Sequence, residues 1–411
     1  MRIVQVTHEY NPLQPGGAQQ ACWNLFEALN TFEDHQATMV SIQTRVWTQD
    51  PVYPVRQVPS GFVVNSGTRE FVNLNLSPHA WEYWVSLLGS LQPDVLHLHH
   101  LLGLGGDVLT ALRQFFPKTV IALTLHEYLL VCARDGQMKR ADGSLCAGAD
   151  PFRCAECLSR PLNQVILRSE MSRAWLEHFD LIISPSRFLV NRFEESGVPL
   201  KDVVILPNAV REPRVHVETI GESTAVNRSA TRFTFLGSVT PNKGMEVLIQ
   251  ALEIMKEMGT NEALEVRMFA SGIREWLAAN KDYAHLLQDR TLPILTFEGY
   301  DQGQLDHILS ETDYLVVPST WWENSPLVIS EARRRGCRCI VARGSACEEA
   351  APLNEGHARF NLNDALSLAQ TMTDCCRSLD AGNYDAPKYP SSEEVAVWHL
   401  QAYRDAAQKR M

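Results

Sequence analysis

No Asp-x-Asp pair occurs anywhere in these 411 residues. That removes the paired carboxylates through which a divalent ion would hold a diphosphate, and leaves the task to a helix dipole and a cation, with no catalytic metal expected. No apolar stretch approaches the roughly 20 residues that a membrane span needs. Cations are outnumbered, 37 Lys and Arg against 48 Asp and Glu for a net charge of −11, so a general nucleic-acid surface is excluded. No repeat or low-complexity tract stands out. No export signal is expected either, because Arg2-Ile3-Val4-Gln5-Val6 reads at once as a strand. Ten cysteines without such a signal point to a reducing, cytoplasmic setting, where thiols are structural, metal-binding or reactive rather than paired.

What remains is an apolar, moderately charged chain, 45% hydrophobic and 21% charged, long enough for two domains that each bury a core. Strands and helices alternate, which implies parallel sheets covered on both faces. Strands are expected near 3–7, 38–42, 95–99, 120–124, 181–184 and 203–206, with helices near 18–29, 106–113, 162–177 and 188–196. Residues 211–231 are polar and without period, a linker or boundary. The alternation resumes at 233–237 and continues through a helix at 245–258, strands at 266–270, 295–298 and 314–317, a helix at 326–335 and a strand at 339–342. Two doubly wound α/β domains follow, 1–210 and 211–392.

The densest signal is Trp321-Trp322-Glu323-Asn324-Ser325-Pro326-Leu327-Val328-Ile329-Ser330-Glu331, at the junction of an apolar strand and a helix. Ser325 is expected as N-cap and Pro326 as the first helical residue, which puts Glu331 about 8 Å from the helix start. The free N–H groups and positive dipole end attract an anion such as a diphosphate. Glu323 and Glu331 would repel it unless they face neutral hydroxyls on either side, and an ionised carboxylate suits a vicinal diol. A nucleotide sugar offers a ribose and a hexose flanking a diphosphate.

Glu323-x7-Glu331 with Asn-Ser-Pro-Leu between resembles the E-x7-E signature of the family 4 retaining glycosyltransferases. The resemblance implies the GT-B fold, two Rossmann-like domains facing a central cleft, with a final helix, 393–411, that crosses back to the first domain. It implies Glu323 beside the donor sugar, Glu331 on the ribose, and Asn324, Ser325, Pro326 and Leu327 supplying the turn at the diphosphate. Gly237-Ser238-Val239-Thr240-Pro241-Asn242-Lys243-Gly244 resembles the family's Gly-Arg...Lys-Gly loop, with Lys243 as the diphosphate cation. The usual Arg is Ser238 here, and Arg343 is an option to replace it. Pro15-Gly16-Gly17-Ala18-Gln19 is similar to the N-terminal Gly-rich loop, where Gly16 and Gly17 let backbone N–H groups approach a phosphate. Thr124-Leu125-His126-Glu127-Tyr128 resembles the family's H-D/E-Y segment and makes His126 a catalytic candidate. His97, His99 and His100 read as packing and hydrogen-bonding residues. Glu348 matches the G-G-x-P-E turn only loosely.

Cys132, Cys146, Cys154 and Cys157 fall in a Gly-, Asp- and Arg-rich loop with the spacing C-x13-C-x7-C-x2-C. A long loop with little apolar content needs a staple, and four thiolates suit a structural zinc, with free thiols or a redox pair as alternatives. The family resemblance further implies a nucleotide-sugar donor and a saccharide or lipid-linked acceptor. The setting would be cell-surface polysaccharide or glycolipid assembly, with basic residues such as Lys139, Arg153 and Arg333 contacting the inner face of a membrane. A nucleotide-sugar epimerase on the same fold, or an inactive nucleotide-sugar-binding protein, are the alternatives.

Overall fold

In the computed structural model the described residues are 1–8, 16–43, 55–65, 80–213, 230–259, 262–283, 293–378 and 389–410. They divide into two compact units, Met1–Val210 with Ser391–Met411, and Arg211–Pro390.

Unit 1 is built on β1 (Arg2–His8), β2 (Gln36–Gln43), β3 (Val55–Val58), β4 (Gly61–Asn65), β5 (Val95–Leu98), β6 (Val120–Thr124), β7 (Leu181–Ser184) and β8 (Val203–Ile205). Their order across the sheet is β3-β4-β2-β1-β5-β6-β7-β8, parallel throughout except where β3 runs antiparallel to β4. Strands β5, β6 and β7 are buried at every residue, the mark of a sheet covered on both faces. One cover is the Gly17–Leu29 helix, whose Leu25, Ala28 and Leu29 share a core with Ile3, Val95 and Ala122. The Ser392–Arg410 helix completes that core with Val395, Leu400, Tyr403 and Ala406. The chain first builds outward from β1 to β2 and then resumes at β5 on the other side, so the order reverses between β1 and β5.

Unit 2 repeats the plan with β9 (Thr231–Ser238), β10 (Leu264–Ser271), β11 (Ile294–Phe297), β12 (Tyr314–Val317), β13 (Arg338–Ala342) and β14 (Ala358–Phe360), in the order β11-β10-β9-β12-β13-β14. Every pair is parallel. Here the order reverses between β9 and β12, and ligands of open parallel sheets bind outside the carboxyl ends of the strands at such reversals.

The sequence reading missed several elements. The β3–β4 hairpin and the Ala80–Leu91 helix were not anticipated. The cysteine segment is not all loop: Cys154 and Cys157 lie on a Pro151–Leu158 helix whose N-cap Asp150 accepts from the Arg153 N–H at 2.9 Å. The helix after β12 runs Leu327–Arg334, with Pro326 rather than Ser325 at the N-cap. Pro326 keeps its ring-fixed φ of −66° but takes an extended ψ of 120°, which makes it the flanking residue, and its carbonyl accepts from the Ile329 N–H at 3.1 Å. Of the expected 211–231 boundary, residues 214–229 lie outside the described residues.

Candidate active site

In unit 2 the loops that follow β9 and β12 are stitched together, and the stitching places Lys243. The Thr320 N–H donates to the Asn242 carbonyl at 3.0 Å and its hydroxyl to the Pro241 carbonyl at 2.9 Å. Gly244 sits at φ +69°, and a Cβ there would lie 1.8 Å from the Pro318 carbonyl oxygen, so only glycine permits the approach. Lys243, the residue before it, then reaches Glu323, its Nζ 2.8 Å from Oε1. The Ser319 hydroxyl donates to the same oxygen at 2.8 Å. Glu323 is only 4% exposed. Burial pushes its carboxyl up, but the Lys243 charge and the hydrogen bonds outweigh that and hold it below the usual range. Lys243 is raised in turn, burial being outweighed by Glu323. The pair is therefore ionised, and it stands just ahead of the N-terminal turn of the Leu327–Arg334 helix.

Glu331, the fifth residue of that helix, is 2% exposed and behaves in the opposite way. Burial raises its carboxyl above the usual range, and the Arg335 charge and a Gln302 hydrogen bond offset this only in part. Arg335 is itself engaged, its Nε donating to Asp306 at 2.7 Å and its Nη1 to the Glu331 carbonyl at 3.0 Å. Ser330 and Tyr389 share a hydroxyl–hydroxyl bond of 2.8 Å that fixes the helix from its other side. Asn324 and Pro326 are buried, Ser325 and Leu327 half-buried. Ser238 is 3.1 Å from the Thr240 hydroxyl and supplies no charge. Arg343 is exposed just beyond β13, the neighbour of β12. Glu348 is occupied elsewhere, accepting from the Gly344 N–H at 2.6 Å and from Arg359 at 2.7 Å.

In unit 1 the reversal point is crowded with imidazoles. Gly16 is the N-cap of the Gly17–Leu29 helix, and a Cβ on Gly17 would meet open space. Gln19, on the first turn, is 2.8 Å from His8 Nε2 at the end of β1, and the His8 and His100 ring centroids are 4.0 Å apart. His97 lies inside β5, 2.7 Å from both the Thr124 hydroxyl and the Tyr403 hydroxyl. His126 follows β6, its Nε2 3.0 Å from His99 Nδ1. Burial, then the charges that His8 and His399 would carry, push His126 down to about 3, so it is neutral at ordinary pH. Burial, then the charges that His97, His126 and His399 would carry, hold His99 well down, and its buried Nε2 has no hydrogen-bond partner among the described residues. A buried N–H without an acceptor is rarer than a buried acceptor without a donor. We therefore assign His99 its proton on Nδ1, donating to His126 Nε2, which leaves neutral His126 with its own proton on Nδ1. Glu127, next in the chain, is pushed up to about 7 by burial against the pull of the Leu129 N–H and Arg168.

The four cysteines of the Cys132–Cys157 segment all line one cavity. Among the described residues no three His, Cys, Asp or Glu side chains already converge as a ligand set. Sequence reasoning overlooked Ser319, Gly244, Glu127 and the orienting part played by His99. Gly244 carried a signal, a Lys-Gly step between strand and helix; Ser319 carried none.

Two family models account for most of the chain, Glycosyltransferase Family 4 over residues 15–213 and Glycosyl transferases group 1 over residues 230–378. The chain belongs to the family 4 glycosyltransferases. A lipopolysaccharide 1,2-N-acetylglucosaminetransferase of Salmonella typhimurium is 24% identical to this family 4 chain over 203 residues, 48% of the chain and 52% of the relative. The match thus spans about half the length of that curated relative. Among solved structures, sucrose-phosphate synthase from Thermosynechococcus elongatus superposes with a TM-score of 0.60 at 16% identity, covering 99% of this chain and 96% of the other. Anabaena HepE in complex with UDP gives 0.60 at 13%, covering 100% and 98%. Starch synthase IV from Arabidopsis thaliana, bound to ADP and acarbose, gives 0.61 at 12%, covering 99% of each. The family 4 chain has the GT-B fold of two Rossmann-like α/β domains.

Proposed function

We propose that this family 4 glycosyltransferase moves a sugar from a nucleotide-sugar donor to a hydroxyl of a saccharide or lipid-linked acceptor, with retention of anomeric configuration. The observation that carries the proposal is the Lys243–Glu323 ion pair, 2.8 Å long, held ahead of a helix N-terminus at the sheet reversal of unit 2. A cation and a helix N-terminus so placed suit a diphosphate without a catalytic metal. In this reading Lys243 and the turn from Asn324 to Leu327 take the diphosphate. Glu331 accepts hydrogen bonds from the ribose hydroxyls, which favour its ionised form against the burial that raises its carboxyl. Glu323 holds the donor sugar and stabilises positive charge developing at its anomeric carbon. The bond from that carbon to the diphosphate oxygen breaks, the acceptor oxygen bonds on the same face, and the acceptor proton passes to the departing oxygen. His126, neutral, serves as a hydrogen-bonding catalytic group, and Gly16 and Gly17 serve donor binding through their backbone N–H groups.

The Salmonella relative's name and the UDP and ADP in the similar structures support a nucleotide-sugar donor and a role in envelope polysaccharide or glycolipid assembly. We further place the enzyme in the cytoplasm, touching the inner face of the membrane. Among the described residues no helix is long and apolar enough to cross one, but Phe152, Ile166 and Leu167 are exposed on consecutive helices beside exposed Arg153 and Arg160, a mixture that suits an anionic lipid surface.

Thermal stability in millimolar UDP, GDP, ADP and dTDP and their sugar conjugates tests the donor, since a ligand at about 100 times its dissociation constant adds roughly 2.7 kcal/mol. Selective stabilisation by one nucleotide is expected, and the stereochemistry of the product formed with its conjugate then decides retention. No stabilisation by any of them would overturn the proposal.

A further inference from the structure

From residue 139 to residue 160 not one residue is buried, yet the segment has defined structure. Lys139 and Leu145 form an antiparallel bridge, the Cys146 N–H donates to the Met138 carbonyl at 2.8 Å, and the capped Pro151–Leu158 helix follows. Twenty-two residues without a hydrophobic interior do not normally hold one conformation, because nothing offsets the entropy of ordering them. This lobe folds around a cavity of about 40 Å3, bordered by buried Val131 and Met138, onto which Cys132, Cys146, Cys154 and Cys157 all open. That is room for an ion and its ligands, not for a sugar or nucleotide.

The lining decides which ion. Among the described residues no carboxylate borders the cavity, which argues against Ca2+ and Mg2+. Four cysteine sulfurs from three chain segments do border it, and a soft thiolate set selects zinc or iron. Cys154 and Cys157, three apart, share a face of the Pro151–Leu158 helix. Arg134, Lys139, Arg140 and Arg153 also line the cavity, and a zinc ion with four thiolates carries a net charge of −2 that such a surround would offset.

We propose that Cys132, Cys146, Cys154 and Cys157 form a tetrahedral structural zinc site that serves as the interior of this lobe. Binding exchanges four thiol protons for one Zn2+. Cys132 Sγ donates to the Arg134 carbonyl at 3.8 Å and Cys146 Sγ to the Gly148 carbonyl at 3.2 Å. A thiolate has no proton to donate, so zinc abolishes both contacts and frees the sulfurs to turn toward a common centre. Cys132 lies six residues after His126, and Arg168 donates to the Leu129 carbonyl between the two, so the zinc would also steady the segment that carries the histidine.

The test uses the full chain, made without an affinity tag and analysed for metal by mass spectrometry. About one zinc per chain is expected, released in parallel with mercurial titration of four thiols. Cys154→Ser with Cys157→Ser should abolish the zinc and expose 133–160 to protease, while Cys337→Ser, in the core of unit 2, should leave it at one. Absence of metal from the wild-type chain would overturn the proposal, and so would iron accompanied by absorbance near 400 nm. The wild-type measurement stands even if the double variant does not fold.

Discussion

At the carboxyl edge of the first sheet, His99, His100 and His126 gather as uncharged rings, whereas at the corresponding edge of the second sheet Lys243 and Glu323 meet as ions. Both places are largely buried, and burial pushes every group in them toward its neutral form. It prevails where like groups neighbour one another, as each imidazole would repel a charged neighbour. It loses where an opposite charge stands 2.8 Å away. Glu331, eight residues from Glu323, lies between the two cases, since the nearby guanidinium of Arg335 is already bound to Asp306. Depth of burial therefore says little about protonation until the partner is named.

The sharpest way to break this contrast is Lys243→Met, which leaves Glu323 buried and unpaired. Turnover should fall at least about 100-fold, as expected for loss of a charge aimed at the leaving group, and stability by about 2 to 3 kcal/mol, a buried pair losing one member with Lys243 itself part-exposed. The pH dependence carries the sign. Paired, Glu323 has a lowered folded-state pKa, and its contribution is lost as pH falls through that value; unpaired, its pKa rises and the penalty is relieved as pH falls. Melting curves at pH 5 and pH 8 that show the same deficit would contradict the assignment.

Glu331→Ala comes next, weakening nucleotide binding by about 1 to 3 kcal/mol through lost ribose hydrogen bonds. Calorimetry with the preferred nucleotide measures this, and unchanged affinity would remove Glu331 from the donor site. Glu127→Gln sharpens the other side of the comparison. With Glu127 raised to about 7, its contribution to stability is complete below the unfolded value of 4.5 and is lost as pH rises through 7. The variant should flatten the wild-type decline between pH 5 and pH 8 by about 1 to 2 kcal/mol, allowing for a side chain that is 30% exposed. Parallel melting curves for the two proteins would refute the raised value. The smallest expected effect is His99→Phe, with kcat down about tenfold at constant KM from a mispositioned His126. Asn at 99 should recover part of it, and nitrogen NMR should find His126 protonated on Nδ1 in the wild type only.

Much of this was legible in the residues. The buried strands announced themselves as short apolar runs, and Glu323-x7-Glu331, Lys243 and His126 all lie just beyond strand ends that the periodicity located. What was not legible depended on neighbours distant in sequence. That Lys243 bonds Glu323, 80 residues away, follows from the register of two loops fixed by Gly244 against Pro318. The His99–His126 pairing requires β5 and β6 to be adjacent and in register. The β3–β4 hairpin is short, and its alternation too brief to distinguish from loop. Asp150-Pro151 was a readable helix start, hidden by the glycines and charges around it.

The Ser392–Arg410 helix has a consequence for how the protein comes into being. It fills a core whose other members, from Ile3 to Ala209, leave the ribosome long before it does, and Tyr403 must arrive before His97 has its hydroxyl partner. During synthesis, therefore, unit 2 can close on itself from contiguous chain while unit 1 waits with an apolar face open, dependent on its last-made segment. A stop codon placed ahead of this helix would spare the second sheet and strand the first.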